Sequence, residues 1–179
     1  MFSLLPKLNR KEAARLRVRP FDPRNLGTLL SWTKSERELR MWAGETFPKL
    51  PDEMTFRTHL NRHGIRAYQA ADRRGRFVGY AELVGRTGGD GILCRVIIDP
   101  ARRGICSGKA LVELLSDEAF RKIGFKRLLL NVFTFNTPAL RCYRALGFRP
   151  LLKRPKPRSF QGECWDLVVM QKDASAKAA

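Results

Sequence analysis

The sequence predicts an α/β protein of the mixed α+β kind, built on a mixed sheet of six to seven strands with helices on both faces. Segments with alternating or continuous apolar residues, which are typical of strands, occur early, in the middle and late in the chain. Amphipathic segments with helical spacing separate several of them. Because turns join other strands directly, hairpins alternate with strand–helix–strand crossovers, as expected for a mixed sheet.

The first part of the chain combines one strand with several helices. Arg15–Arg19 alternates polar and apolar residues before Pro20, which favours a first strand. Asn25–Trp42 has helical spacing and is interrupted near Ser35, where a capping box predicts a second helix start. Asp52–His63 is predicted to form a third helix.

The remaining chain alternates between strands and helices. Strands are predicted at Arg66–Ala71, Phe77–Val84, Ile92–Ile98, Arg127–Phe133, Phe148–Leu152 and Cys164–Gln171. Helices are predicted at Gly108–Lys122 and Thr137–Leu146. The segment Lys153–Gln161 is expected to be an exposed basic loop. We expect one domain over residues 1–172 and a frayed tail over residues 173–179.

Composition limits the partners. The net charge is +18, and the segment from Ala119 to Gly162 contains no Asp or Glu, so an anionic partner is expected. The chain has no apolar run long enough to span a bilayer, and its first residues do not have the pattern of a signal peptide. Its four cysteines lack a C-x-x-C spacing, which favours free thiols and a cytoplasmic location.

One loop has the features of an anion site. After the strand that ends at Pro100, the segment Arg102–Lys109 leads into an amphipathic helix. The first amides of a helix have no partner inside the helix and favour anions, while glycines let a bound group approach the main chain. The loop fits neither a P-loop nor a dinucleotide fingerprint. From this segment alone, a simple turn with solvated arginines is an equal alternative.

A second segment changes that balance. After another predicted buried strand, Asn136, Ala139, Tyr143 and Gly147-Phe148 recur at fixed spacing. Together with the Arg102–Lys109 loop, this pattern resembles the GNAT superfamily of acetyl-CoA-dependent N-acyltransferases. The resemblance covers Arg76 to Pro150, and Cys106 stands where the family's loop usually has glycine.

The resemblance implies the fold, the cofactor and its site. It implies a sheet whose central parallel strand pair is splayed apart, and acetyl-CoA as the donor. Val96, Ile97 and Ile98 would pair with the pantetheine arm, and Asn136 would bond to that arm. The pyrophosphate would be held by the loop residues, which are Arg103, Gly104, Ile105, Cys106, Ser107, Gly108 and Lys109. Tyr143 would be the general acid for the leaving thiolate; a packed helical aromatic is the alternative for Tyr143, and a helix cap for Asn136.

Acetyl transfer to an amine requires a held thioester, stabilisation of the carbonyl oxygen and proton transfer. Glu82 is the first candidate for the base and Asp90 the second, acting directly or through water. For either residue the alternatives are a solvated carboxylate or a partnership with an arginine such as Arg95. His59 and His63 share a helix face, but no third ligand has matching spacing, so no metal site is predicted.

The acceptor is expected to be a small-molecule or peptide amine. Trp42 and Phe47 are hypothesised to wall its groove, and an acidic patch could attract it; the acidic residues are Glu36, Glu38, Glu45, Asp52 and Glu53. Two other functions stay open, a GNAT-fold binding or regulatory protein and a basic nucleic-acid- or ribosome-associated protein. A homodimer is compatible with the sequence, and no membrane association is expected.

Overall fold

The computed structural model describes residues 16–105 and 107–174, with the main chain alone for residues 152–157. One seven-stranded sheet organises them, in the order β1-β2-β3-β4-β5-β7-β6. The strands are β1 (Arg17–Pro20), β2 (Ile65–Ala71), β3 (Phe77–Gly85), β4 (Asp90–Ile98), β5 (Arg127–Phe133), β6 (Arg149–Phe160) and β7 (Glu163–Asp173). Neighbouring strands are antiparallel except β4 and β5, which are parallel, so the predicted mixed sheet with a central parallel pair is confirmed.

Among the residues that the structure describes, five α-helices connect these strands. They are α1 (Leu26–Ser31), α2 (Glu36–Ala43), α3 (Glu53–Leu60), α4 (Ser107–Asp117) and α5 (Thr137–Ala145). Short 3-10 turns precede α1 and follow β4, and α4 continues as a π-helix over Glu118–Ile123 until Gly124, which adopts a left-handed φ of 85°. Ser35 caps α2 by accepting a hydrogen bond from the N–H of Glu38, as the capping box predicts.

The helices cover both faces of the sheet. Helices α4 and α5 pack on one face, where Leu111, Leu115 and Leu140 join the buried residues of the central strands. Helices α1, α2 and α3 cover the other face with an aromatic cluster that includes Phe56 and Tyr80. Each central strand is therefore buried on two sides, which explains why its sequence is almost continuously apolar.

The parallel strands β4 and β5 meet at one end only. Their paired residues run from Asp90–Arg127 to Ile92–Leu129, and beyond Ile92 the two strands diverge. The Arg127 side chain also donates to the Asp90 carboxylate, so an ion pair joins the two strands at the end where they are paired. The divergence leaves the rest of β4 without a strand partner on that side, so a cleft opens in the middle of the sheet.

The prediction of an exposed loop over Lys153–Gln161 is wrong. The main chain continues as β6 through Phe160 and turns at Gln161 and Gly162 into β7. Pro155 and Pro157 are compatible with this because β6 is an edge strand, and a register shift between Arg154 and Arg158 accommodates them.

The chain ends also differ in detail from the prediction. Strand β7 includes Asp173, where the frayed tail was expected to begin, and the N–H of Ala174 donates to the carbonyl of Lys126. Residues 1–15 and 175–179 lie outside the described part of the chain. Within the described part, no helix is long and apolar enough to cross a membrane.

Candidate active site

A cleft of about 1180 Å³ occupies the gap between β4 and β5. One wall is formed by β4 from Ile92 to Ile98, and the other by β5 and α5. The N-terminal part of α4 closes one end, while α2 and the β6–β7 hairpin close the other. The cleft brings together most of the residues that the sequence singled out, although these residues lie far apart along the chain.

The loop at the α4 end has the geometry of an anion site. Asp99 accepts from the N–H of Ala101 and so sets the turn after β4. Gly104 has a φ of 77°, which favours glycine, and a Cβ added there would meet no described heavy atom within 4 Å. Arg103 and Lys109 line the cleft beside the first turn of α4, where charge and helix dipole both attract anions. Cys106 lies outside the described residues.

Gly108 leaves further space at this end. A Cβ added to Gly108 would be 3.7 Å from Cγ1 of Ile98, an ordinary contact distance, so the protein itself does not require glycine there. Its lack of a side chain therefore benefits a group that enters from the cleft. The residues at this end fit a phosphorylated cofactor: open main chain, two cations and a helix start.

Asn136 and Tyr143 lie on the β5 side of the cleft. The Asn136 side chain caps α5, because its Oδ1 accepts from the N–H of Ala139 at 3.3 Å. Tyr143 is half-buried, with its ring 5.9 Å from that of Phe148, and burial raises the pKa of its hydroxyl. The hydroxyl is therefore protonated at neutral pH, the form that a proton donor requires.

Strand β4 contains a bulge where it borders the cleft. The cross-strand pairs Tyr80–Ile97 and Glu82–Cys94 leave only Ala81 opposite two residues, Arg95 and Val96. Arg95 has a φ of 51°, which is uncommon for a residue with a side chain and costs about 1–3 kcal/mol. The bulge turns the main chain of β4 at the middle of the cleft.

A buried polar network surrounds this bulge. Glu82 is fully buried, and its carboxylate accepts from Arg95 Nη2 at 2.5 Å, from the Tyr80 hydroxyl at 2.7 Å and from His59 Nε2 at 3.0 Å. Arg95 Nη1 also donates to Oγ1 of Thr46 at 3.0 Å. Burial raises the pKa of Glu82, but the bonds from His59 and Arg95 outweigh it, and the pKa lies below its ordinary value. The side chain is therefore a firmly held carboxylate.

The structure separates the two candidate bases from the cleft. Glu82 is not among the cleft residues, and the partnership with Arg95, left open by the sequence, is the one observed. Asp90 lies at the closed end of the parallel pair, where Arg127 lowers the pKa of its carboxyl. Asp90 does not line the cleft.

The end of the cleft away from α4 is built by α2 and the β6–β7 hairpin. Trp42 lines it, as hypothesised, whereas Phe47 is buried in the aromatic cluster and does not. Ion pairs join the hairpin to α2 and to the segment that follows it, with Arg37 and Glu163 at 3.0 Å and Arg158 and Glu45 at 2.6 Å. This end is therefore closed by charged side chains on an aromatic base.

Most carboxylates of the expected acidic patch are engaged in ion pairs or helix caps. Of the predicted carboxylates, Glu38 and Glu45 line the cleft. Glu38 accepts from the N–H of Lys34, and Glu45 pairs with two arginines. Asp52 caps α3, and Glu53 pairs with Arg57. No group of three or more His, Cys, Asp or Glu side chains in the described part of the chain is placed to hold a metal.

Sequence reasoning missed the roles of Tyr80, His59 and the Arg95 bulge. A signal was present, since Arg95 interrupts the apolar run of β4 and a charge inside such a strand must find a partner. The partnership of Arg95 with Glu82 was among the alternatives that the sequence offered, but the contact with His59 was not, because His59 and Glu82 are 23 residues apart and meet only through the packing of α3 on the sheet.

Comparison with known proteins agrees with this architecture. A family model described as "Acetyltransferase (GNAT) family" matches residues 29–148. An IAA acetyltransferase of Azospirillum brasilense is 30% identical over 112 residues, which are 62% of this chain and 72% of that protein.

Solved structures show the same fold. Spermidine N-acetyltransferase from Vibrio cholerae, in complex with CoA and spermine, superposes with a TM-score of 0.79 at 17% identity, covering 90% of this chain and 97% of that one. A spermidine/spermine N-acetyltransferase from the same organism gives 0.75 at 18% identity, covering 92% and 95%.

A mixed sheet split between two parallel strands, with an anion loop at one end of the split, defines the class of acetyl-CoA-dependent N-acetyltransferases. The family match assigns the protein itself: the chain belongs to the acetyltransferase (GNAT) family. Acetyl-CoA is accordingly its acetyl donor.

Proposed function

We propose that this enzyme transfers the acetyl group of acetyl-CoA to a primary amine by direct attack, with donor and acceptor bound together. The observation that carries the proposal is the cleft, which has a cationic loop at one end, an aromatic acceptor-side end and Tyr143 in its wall. Binding both reactants in one cleft replaces a collision between two molecules by a positioned reaction. No nucleophilic side chain is needed.

The donor would lie along β4. Arg103, Gly104, Ile105, Cys106, Ser107, Gly108 and Lys109 would hold the pyrophosphate. The main chain of Val96, Ile97 and Ile98 would pair with the pantetheine arm as an added strand does, because β4 lacks a strand partner there. Asn136 would donate to the same arm from its amide nitrogen, since its oxygen already caps α5.

Acetyl-CoA supplies the thioester whose carbonyl carbon the amine attacks, with cleavage of the C–S bond. A main-chain N–H at the β4 bulge would donate to the carbonyl oxygen as negative charge develops. Tyr143 would give its hydroxyl proton to the leaving sulfur, and the proton that the amine loses would return to Tyr143 through water. Because Glu82 is held outside the cleft by three donors, this route assigns no proton transfer to it.

We propose a broader class of acceptor amines for this chain than the polyamines named for its structural relatives. Spermine is bound by one of them, so polyamines belong in the test set. The carboxylates at the acceptor end of this chain are already paired or capping, which gives a second ammonium group little to bind. Amines with one cationic centre, including amino acids and peptide N-termini, therefore belong there equally.

The test is acetyl transfer measured as thiol release over an amine panel, with Tyr143→Phe as the variant. Phenylalanine keeps the ring packed near Phe148 and removes only the hydroxyl. Loss of a general acid should lower kcat by about 10²- to 10⁴-fold with an unchanged Kd for acetyl-CoA. Binding of acetyl-CoA without turnover on any amine would favour a regulatory GNAT-fold protein, and an unchanged kcat in Tyr143→Phe would remove Tyr143 from the mechanism.

A further inference from the structure

Arg95 adopts a backbone conformation that its own residue type disfavours. Among the described residues with side chains, Arg95 and Gln161 have positive φ. Gln161 lies in the tight β6–β7 turn, where such a conformation is common. Arg95 lies inside a strand, so the surrounding structure must hold it there.

Both the main chain and the side chain of Arg95 are held. Its carbonyl accepts from Nε1 of Trp42 at 2.7 Å, a bond that comes from α2. Its guanidinium reaches Glu82 on β3 and Thr46 after α2, and its side chain is only 12% exposed. These contacts come from outside β4, and together they determine the conformation of the bulge.

Glu82 is itself fixed by two further side chains. Tyr80 lies two residues away on β3 and donates its hydroxyl to Glu82 Oε1. His59 reaches the same carboxylate from α3, and its ring packs edge-on against Phe47 and Phe56 at 5.2 and 5.7 Å. The network therefore connects the helices over one face of the sheet to the bulge that borders the cleft.

We propose that Trp42, His59 and Glu82 are positioning residues that hold Arg95 in the left-handed conformation, and thereby direct the main chain of β4 towards the acetyl thioester. The inference rests on the proposed function, because it assumes that β4 binds the donor. It assigns Glu82 a backbone role in place of base catalysis. It also assigns the Arg95 guanidinium an internal role, since its two terminal nitrogens donate to Thr46 and Glu82.

A pair of double variants separates conformation from charge. Glu82→Gln/Arg95→Gly and Glu82→Gln/Arg95→Ala both remove the buried ion pair, so neither leaves an unpaired charge. They differ in that glycine adopts positive φ freely and alanine does not. At an ordinary strand position alanine is more stabilising than glycine. Tighter binding of acetyl-CoA by the glycine variant would therefore indicate that the bulge requires a positive φ at this position.

The readout is the Kd for acetyl-CoA by calorimetry, beside the Kd for CoA and the thermal midpoint. The glycine variant should bind acetyl-CoA at least about tenfold more tightly than the alanine variant, because the strain of a non-glycine residue at positive φ is worth that factor. It should also lie within about threefold of the unsubstituted chain, as glycine needs no external support. Equal Kd values for the two double variants would overturn the inference.

A single variant tests the main-chain bond if the double variants do not fold. Trp42→Phe removes the donor to the Arg95 carbonyl and keeps a ring that can stack on Phe56. It should weaken acetyl-CoA at least about threefold, a typical worth of one hydrogen bond. No weakening would count against the inference. Asp90→Asn is the matched control, since it breaks a carboxylate–arginine pair on the same strand outside the cleft.

The proposed function fails separately from the inference. If the unsubstituted chain does not bind acetyl-CoA, the proposed function is refuted, and the inference with it. If it binds acetyl-CoA and acetylates an amine while the glycine and alanine variants behave alike, only the positioning role is refuted.

Discussion

Gly91 lies at the closed end of the cleft, where β4 and β5 are paired. A Cβ added there would be 2.2, 2.4 and 2.9 Å from three ring carbons of Phe125, closer than non-bonded carbons approach. Phe125 is packed against the main core, so either its ring or the strand must move. We expect Gly91→Ala to lose about 1–3 kcal/mol from this overpacking.

The matched control is Gly85→Ala, because Gly85 pairs directly with Gly91 across β3 and β4. Its added Cβ would be 3.7 Å from the same ring, an ordinary contact. Both substitutions reduce the entropy of the unfolded chain alike, so their difference isolates the clash. Urea unfolding should separate them by about 1–3 kcal/mol, and the thermal midpoints by about 2–12 °C. Equal stability of the two variants would refute the packing argument.

Two further predictions follow from pKa values. The lowered pKa of Glu82 means that its ionised form stabilises the fold fully above the ordinary pKa of a glutamic acid, and that this contribution is lost as the pH falls through the lowered value. The difference in unfolding free energy between the unsubstituted chain and Glu82→Gln should therefore be constant above about pH 6 and shrink below about pH 4. A difference that grows on acidification would contradict the assignment. Burial raises the pKa of the Cys94 thiol to about 12, whereas Cys164 is exposed. Peptide mapping after iodoacetamide treatment at pH 8 should therefore find Cys164 alkylated before Cys94. In the control variant Cys164→Ser, the extent of Cys94 alkylation should be unchanged.

The parts of the fold that depend on neighbouring residues were predictable. β5 has the predicted bounds, Arg127–Phe133, because a run of apolar residues buried on both faces is recognisable without its partners. The cap at Ser35 was equally local. The first part of the edge strand β6 was predicted, but its continuation beyond Leu152 was not, since Pro155 and Pro157 indicate a loop unless one knows that the N–H groups on that side need no partner.

The same distinction divides the candidate site. The loop from Arg103 to Lys109 has its charges, glycines and helix start within a few residues, so the sequence alone predicts it as a candidate anion site, with a simple turn as the alternative. The Arg95 bulge depends on Trp42, 53 residues away, and on Glu82, 13 residues away. The contact with Trp42 has no local pattern in the sequence, because it exists only after α2 packs on the sheet. The contact with Glu82 joins two neighbouring strands and was among the alternatives that the sequence left open.

Under the proposed function, this arrangement would couple the acceptor side of the cleft to the donor side. Trp42 lines the end of the cleft proposed for the acceptor and bonds to the Arg95 carbonyl with its Nε1, so one side chain would serve both sides. An acceptor that displaces the Trp42 ring would also change the support of the bulge. Substitutions in α2 should therefore alter the Kd for acetyl-CoA as well as the KM of the amine, whereas substitutions in the Arg103–Lys109 loop should alter the Kd for the donor alone.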